Sequence, residues 1–452
     1  MKKKKLFKSR QMNPTRIIAV TFAVIILLGA LLLMLPVSSR NGVSCGFLPA
    51  LFTATSATCV TGLVMYDTFS QWSTFGQVVI ISLIEIGGLG FMSAASVVIF
   101  LFRRKIGLRQ RMIMAQAISV DDMQSVVKLQ KWVLLGSLSI QACGALVLFL
   151  RFLPEYGIGR AAAWGVFHAI SAFCNAGFDI WGYLEPGQSA AVFNHDPVVM
   201  ITLMVIVLLG GLGFLVWEEV VRVKKFRKFS VYTKLVLIST AVLLVGGALV
   251  ILLLEWSNPA TLGQMPVWQK ILNSFFQSVT LRTAGFASFD QAGLTEGGKA
   301  VSMILMLVGG ASGSTAGGAK IVTIVVLLLF VFTRLRGRTT VTVFKHSVLP
   351  EKVLDAMMIV AVMIGMALFG AVVICTTSPV TFTDGLFEAV SALATVGVTA
   401  GVTTSLSIPA QCLIILFMYF GRVGILTISF GFLLSDRAEE RFRYAHTNLL
   451  IG

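Results

Sequence analysis

Charge is what this sequence has least of. Lys, Arg, Asp and Glu make up 12% of its 452 residues while 56% are apolar, against about 25% charged in an average soluble domain. A water-facing fold of this size needs a charged surface, so soluble enzymes, disordered scaffolds and nucleic-acid binders are excluded and the surface must face lipid. Acid is scarcer than base, 20 Asp and Glu against 36 Lys and Arg, for a net charge of +16. Histidine occurs four times, with no HExxH, no GxSxG and no His/acid cluster, which excludes an intramembrane catalytic site of those kinds. The six cysteines (45, 59, 143, 174, 375, 412) show no CxxC or Cys/His spacing, so they are read as packing residues rather than a metal or disulfide framework. A Rossmann fingerprint is missing too, and no organic cofactor is expected in this chain.

Long apolar runs are plentiful instead, at about 15–36, 75–102, 132–153, 197–221, 235–255, 299–333, 353–376 and 410–434. Each reaches the roughly 20 helical residues that cross a bilayer core, which predicts eight spans. The first follows MKKKKLFKSR, but its exit LPVSSR lacks a small-x-small cleavage site, so it is read as a retained span. Between successive pairs lie shorter segments, 47–58, 161–173, 267–280 and 384–395, that reach about two-thirds of the way across at 1.5 Å per residue. The order is long, short, long, four times. Lys and Arg number seven through Arg16, seven in 103–131, six in 222–234, five in 334–352 and three in the C-terminal tail. All fall on one side if the spans alternate, which puts that side and both termini in the cytoplasm. Topology thus accounts for the +16 with no nucleic-acid partner.

Each short segment runs into a small stretch with a glycine: TCVTGL, FCNAGF, LRTAGF and ATVGVT. Aligning Gly62, Gly177, Gly285 and Gly397 gives spacings of 115, 108 and 112, the signature of a repeated unit. A second feature follows 24–33 residues later: GGLGF at 87–91 and 210–214, GGASG at 309–313 and GRVGI at 421–425. Non-helical backbone at membrane depth must be buried in protein or line a watery cavity. Four such turns after inward-pointing half-helices can converge on one axis, where their carbonyls replace a cation's hydration shell. The candidate ion-binding backbone is Val60, Thr61 and Gly62; Asn175, Ala176 and Gly177; Thr283, Ala284 and Gly285; Thr395, Val396 and Gly397. Glycine admits the left-handed geometry and the close approach to the ion.

The pattern resembles the Trk/Ktr/HKT superfamily of cation transporters, and within it the membrane subunit of the bacterial Ktr system (KtrB or KtrD type). TCVTGL with IEIGGLGFM, ISAFCNAGF, TLRTAGF, GGASGSTAGGAK and FGRVGILT carry the likeness over essentially the whole chain. The resemblance implies an all-α polytopic membrane protein of four fused span–pore-helix–span repeats, with eight transmembrane helices and four re-entrant pore helices around a pseudo-fourfold pore. It implies K+ as the transported ion at the filter residues, because glycine at every filter position is the family's potassium pattern, and Na+ as an activating or coupling ion in part of the family. It also implies a bacterial cell-membrane location, a homodimer, and a cytosolic nucleotide-binding ring of the RCK type (KtrA- or KtrC-like) on the basic inner face.

Residues 309–320 break the sixth run. Gly309, Gly310, Gly313, Gly317 and Gly318 disfavour helix by roughly 5 kcal/mol relative to alanine. Either they pack helices closely, or they form an intramembrane loop below the filter, with Ser312, Ser314 and Thr315 satisfying freed backbone. The resemblance favours the loop, as a gate. Arg422, mid-span in the eighth run, needs a partner. The carbonyls of 309–318 are the first choice and Glu85 the second, and the resemblance again points to the gate. Lys320 is read either as part of the gate or as snorkelling to the interface.

The outer linkers hold Asp67, Asp179, Glu185, Asp196, Asp290 and Glu296 against Lys299, which would concentrate cations at the mouth or simply be solvated. Arg282, beside the third turn, either sets the depth of an ion site or pairs with an outer acid. His168 is read as a packing histidine, Cys59 and Cys174 as small packers behind the filter. The expected boundaries are a tail 1–14, repeats 15–103, 132–221, 235–333 and 353–434, linkers 104–131, 222–234 and 334–352, and a tail 435–452. An alternating-access Na+- or H+-coupled carrier is the alternative. Four same-sense repeats argue against it, since inverted halves would reverse the basic-loop pattern.

Overall fold

The computed structural model describes residues 14–90 and 126–424. The two terminal tails, most of the 104–131 linker and the inner ends of the second and eighth apolar runs lie outside the described residues.

Helix α1 (Pro14–Met34) is apolar on all sides and leads to α2 (Phe47–Cys59), which ends where Val60 turns left-handed. Helix α3 (Thr74–Leu89) begins where the Ser73 side chain accepts the Gly76 N–H, an N-cap that satisfies one orphan donor. The long helix α4 (Val126–Phe173) is two arms joined at Gly157, whose φ of 73° and ψ of 169° no helix contains. The arms match the expected run 132–153 and short segment 161–173. Helices α5 (Pro197–Leu212, capped by Asp196) and α6 (Phe214–Val223) follow, then α7 (Val231–Glu255) and α8 (Val267–Thr280). Next come α9 (Glu296–Leu307), capped by Thr295, and α10 (Ile321–Leu335). A two-residue hairpin, Thr342–Val343 with His346–Ser347, precedes α11 (Pro350–Thr377), α12 (Phe382–Leu393) and α13 (Ile408–Val423).

The described residues give the lengths of the individual helices. Four helices are long and apolar enough to span a bilayer alone, within α1, α4, α7 and α11, and α5 with α6 forms a fifth only as a pair bent by 94°. In each expected unit the described helix of the second run ends at or just before its recurring glycine motif. Helix α3 ends at Gly90 (φ 83°, ψ 144°), α5 at Gly213 (φ 89°, ψ 142°) and α13 at Gly424 (φ 93°, ψ 130°). Between α9 and α10 the chain leaves helix over 308–320. A break was expected at the third of these alone. Positive φ with extended ψ is open to glycine and strained for any side chain, so the fourth position of the motif stops the helix whatever the hydropathy around it.

The helix contacts form a closed ring. Within three of the expected units the first long helix packs on the short one, α1 on α2, α7 on α8 and α11 on α12, and in the second unit α4, which holds both, packs on α5. Between units α3 meets α4, α5 meets α8, α9 meets α12, and α13 returns to α2. Two buried apolar clusters fill the interior, one through α1–α5 and α8, the other through α2, α9, α12 and α13. Leu27, Leu28, Leu138, Leu146, Leu249, Leu253, Leu368 and Phe369 of the long helices remain exposed on the outside, as a lipid-facing surface requires.

Candidate functional site

The four aligned turns are built alike. The residue two before each glycine is left-handed although it is not glycine: Val60 (φ 58°), Asn175 (59°), Thr283 (71°) and Thr395 (52°). Gly62 (φ 101°), Gly177 (68°), Gly285 (85°) and Gly397 (92°) follow. The residues between have no positive φ, so handedness alternates, which turns successive carbonyls to the same side of the chain. The amides are meanwhile tied back to the preceding helix: Thr61 N–H donates to Ser56 O (2.8 Å), Ala176 to Ser171 O (2.8 Å), Ala284 to Thr280 O (2.9 Å) and Val396 to Ser391 O (2.8 Å). The hydroxyls of Ser56 and Ser391 accept the Gly62 and Gly397 N–H groups, each at 3.1 Å. Ser171 and Thr280 instead donate to Phe178 O (2.7 Å) and Phe286 O (2.6 Å). These six N–H donors are consumed locally.

These turns meet one another. A methyl group built on Gly62 would stand 2.6 Å from Ala176 O, one on Gly177 2.8 Å from Ala284 O, and one on Gly285 2.8 Å from Val396 O; one on Gly397 would collide with Thr61 O. Each turn thus offers the carbonyl before its own glycine to the glycine of its neighbour, and the pattern returns to its start after four steps. No side chain fits at any of the four. All four glycines line one cavity of about 390 Å³. Among the described residues, the hydroxyls of Thr61, Thr283 and Thr395 in these turns are buried without a hydrogen-bond partner.

Of the six outer acids, Asp67, Asp179 and Asp290 line this cavity. Asp196 is held by Arg151 at 2.5 Å, and Glu296 stands 4.0 Å from Lys299, whose own partner is Asp384 at 2.7 Å; Glu185 is exposed and lies outside the lining. Burial, then the charge of Asp67, push the Asp179 carboxyl up to about 7.

The second recurring motif has a packing role that its spacing alone did not disclose. A Cβ on Gly87 would strike Thr58 O, on Gly210 Phe173 O, and on Gly421 Leu393 O. Each of those carbonyls lies four residues before an aligned glycine, so the motif presses the second helix onto the end of the short one. In the third unit Gly309 meets Gly317 O instead, because the chain there has become a loop.

That loop, 308–320, is closed by Gly309 N–H to Ala319 O (2.8 Å) and Ile321 N–H to Gly310 O (3.0 Å), with Gly313 and Gly318 at positive φ. It leans on the α5–α6 bend through Ala311 N–H to Gly211 O (3.0 Å), Thr315 N–H to Gly210 O (3.2 Å) and Phe214 N–H to Gly313 O (2.9 Å). Gly317 lies against Thr395 and Gly318 against Ala394. Ser314 donates to Ala311 O (2.6 Å), and Tyr232 donates to Ser312 O (3.0 Å). Arg422 donates to Thr315 O, and to Gly87 O (2.5 Å) and Gly88 O (3.0 Å). The loop carbonyls are its partners as anticipated, and the first GGLG motif is a second anchor that the sequence did not reveal. Glu85 is instead bonded to Gln141 (3.0 Å) and Cys174 (3.3 Å). Lys320 donates to Ala316 O (2.7 Å) rather than reaching outward.

Arg282 is buried beside Gly310 and Asn175, and among the described residues its side chain finds only Thr240 Oγ1 at 3.4 Å, with its Nε unpartnered. His168 lies between Trp164 O (2.7 Å) and the Ile180 N–H (3.2 Å), stacked on Trp181 at 3.7 Å. Both ring nitrogens are satisfied in the packing role expected. Cys59 and Cys174 are free and buried behind the turns. Among the described residues no group of three or more His, Cys, Asp and Glu side chains could hold a metal ion.

Residues 1–441 match the TrkH family model, described as cation transport protein. The chain belongs to the TrkH family. It is therefore a membrane cation transporter rather than an enzyme, and the resemblance drawn from its motifs is borne out. It is 38% identical to the Ktr system potassium uptake protein B of Bacillus subtilis over 442 residues, covering 98% of each chain. It is 37% identical to the potassium/sodium uptake protein NtpJ of Enterococcus hirae over 448 residues, again 98% of each. The crystal structure of the potassium transporter TrkH from Vibrio parahaemolyticus matches with a TM-score of 0.72 over 96% of this chain and 87% of that one. At 18% identity that is a likeness of fold.

Proposed function

We propose that this TrkH-family chain is the pore-forming subunit of a bacterial potassium uptake system, in which dehydrated K+ passes a filter of backbone carbonyls. The observation that carries the reading is the closed cycle in which each of Gly62, Gly177, Gly285 and Gly397 faces a neighbouring turn's carbonyl at the floor of one acid-lined cavity. Oxygen ligands without side chains suit a monovalent cation stripped of water. Two relatives whose names specify potassium, at 38% and 37% identity, support the choice of ion. The second name also includes sodium, which supports Na+ as an activating or coupling ion.

In this reading the chain is four repeats, 15–103, 132–221, 235–333 and 353–434, around a pseudo-fourfold axis, with two spans and one pore helix apiece and the basic linkers and both termini in the cytoplasm. The loop 309–320 is the gate, with Gly309, Gly310, Ser312, Gly313, Ser314, Thr315, Gly317, Gly318 and Lys320 forming it and Arg422 holding it shut beneath the filter. The subunit works as a homodimer in the plasma membrane, and a cytosolic nucleotide-binding ring of the RCK type acts on the gate. Purified subunit alone is then indifferent to ATP and ADP. The test is Gly62→Ser with cation competition. Uptake of Rb+ by the variant is expected to become roughly tenfold more sensitive to Na+, a loss of about 1.4 kcal/mol of discrimination. Unaltered preference would take this turn out of the filter.

A further inference from the structure

We propose that Asn175 couples the intramembrane loop to the second filter turn, so that loop position and ion occupancy control each other. This rests on the pore-and-gate reading above and adds a mechanism to it.

Thr315 is gripped at each of its polar atoms by a different part of the molecule. Its N–H donates to Gly210 O at the α5–α6 bend, its carbonyl accepts from Arg422 of α13, and its hydroxyl donates to Phe173 O at 3.0 Å. The same hydroxyl lies 3.2 Å from the amide of Asn175. Oriented with its nitrogen toward the loop, that amide donates to Thr315 Oγ1 (3.2 Å), Phe173 O (3.3 Å) and Val207 O (3.3 Å). Both residues are buried, Asn175 to 1% and Thr315 to 0% exposure. Gly210 leaves the room: a Cβ there would stand 2.7 Å from Asn175 Oδ1 and 2.8 Å from Thr315 Oγ1.

The other three left-handed filter positions have no such link among the described residues. Val60 has no polar atom to offer, and the hydroxyls of Thr283 and Thr395 are unpartnered. Asn175 is therefore where a side chain of the filter bonds the loop. Moving the loop away takes the Thr315 hydroxyl from a buried amide that then keeps only Phe173 O and Val207 O, and whose own backbone supplies the carbonyls of the second turn. The turn must then readjust or the loop must return, which is the two-state linkage that coupling requires. Coupling free energy is reciprocal, so K+ in the filter must alter the exposure of the loop.

The experiment uses the full chain in proteoliposomes, with Ser314→Cys as reporter and the unsubstituted chain as blank for the native cysteines. The rate of labelling by a water-soluble maleimide is measured in K+ and in choline. The reporter is expected to change rate on the order of fivefold with K+, the lower end of coupling between sites. Thr315→Ser, which keeps the hydroxyl, should preserve the change, and Thr315→Val should abolish it while the loop stays labelled. If the valine variant does not fold, Asn175→Ala removes the other half of the contact and must abolish the change equally. Full K+ dependence in Thr315→Val or Asn175→Ala would overturn the coupling and leave the gate standing. A reporter indifferent to K+ in the parent chain would also overturn it, whereas the pore reading fails only if Gly62→Ser leaves ion preference unaltered.

Discussion

Arg422 illustrates how backbone carbonyls can hold a buried charge. Three backbone carbonyls, Thr315 O, Gly87 O and Gly88 O, surround its guanidinium, and hydrogen bonds to a charged group contribute about 1.5–3 kcal/mol each. Its planar fork spans two segments at once, which a lysine ammonium on one flexible stem does not. Arg422→Ala should free the loop and raise Rb+ flux through proteoliposomes by roughly tenfold, the effect of about 1.4 kcal/mol, with Arg422→Lys in between. Unchanged flux and unchanged regulation would remove Arg422 from the gate. At the mouth, Asp179 has its pKa raised to about 7 by burial and by Asp67. Above pH 7 it is ionised and draws cations into the cavity, and below it is neutral. Uptake from limiting K+ should fall as pH drops through 7, and Asp179→Asn should flatten that profile at the lower level. A residual step of the same size in the variant would assign it elsewhere. At this scale the sequence disclosed that Arg422 needed oxygens and that the loop would supply them. It did not disclose Gly87 and Gly88, because a carbonyl partner leaves no mark on residue type.

At the scale of elements, the recurring glycine motif does two things. Its first glycine lets the helix approach a carbonyl, at Gly87, Gly210 and Gly421, and its fourth ends the helix, at Gly90, Gly213 and Gly424. Hydropathy reports only whether a run is apolar, so 75–102, 197–221 and 410–434 read as continuous, and the glycine-dense 309–320 alone betrayed a break. Gly213→Ala forces a side chain into a region that costs about 1–3 kcal/mol and brings its Cβ within 3.0 Å of Ser312 O. Its Tm in detergent should fall by several degrees. Gly246→Ala, inside α7 with open space around it, should hold or raise Tm, since alanine favours helix by about 1 kcal/mol. Equal loss in both variants would mean that the bend is not the reason.

Across the whole molecule, the ring of helix contacts and the cycle of glycines describe one arrangement at two depths. The outer ring runs α3 to α4, α5 to α8, α9 to α12 and α13 to α2; the inner one runs Gly62, Gly177, Gly285, Gly397. Spacings of 115, 108 and 112 residues made the repetition legible, since each unit must present the same face to a shared centre. The direction of the cycle was not legible, nor which outer acids reach the cavity, because both depend on how units are placed against one another. Asp196 and Glu296 look like Asp67 and Asp179 in sequence, yet Arg151 and Lys299 stand beside them. The most direct measurement is anomalous diffraction from crystals grown with Rb+ in place of K+. The account predicts a peak on the axis between the carbonyls of Thr61, Ala176, Ala284 and Val396. Strong Rb+ density elsewhere in the protein, with none between those four oxygens, would contradict it.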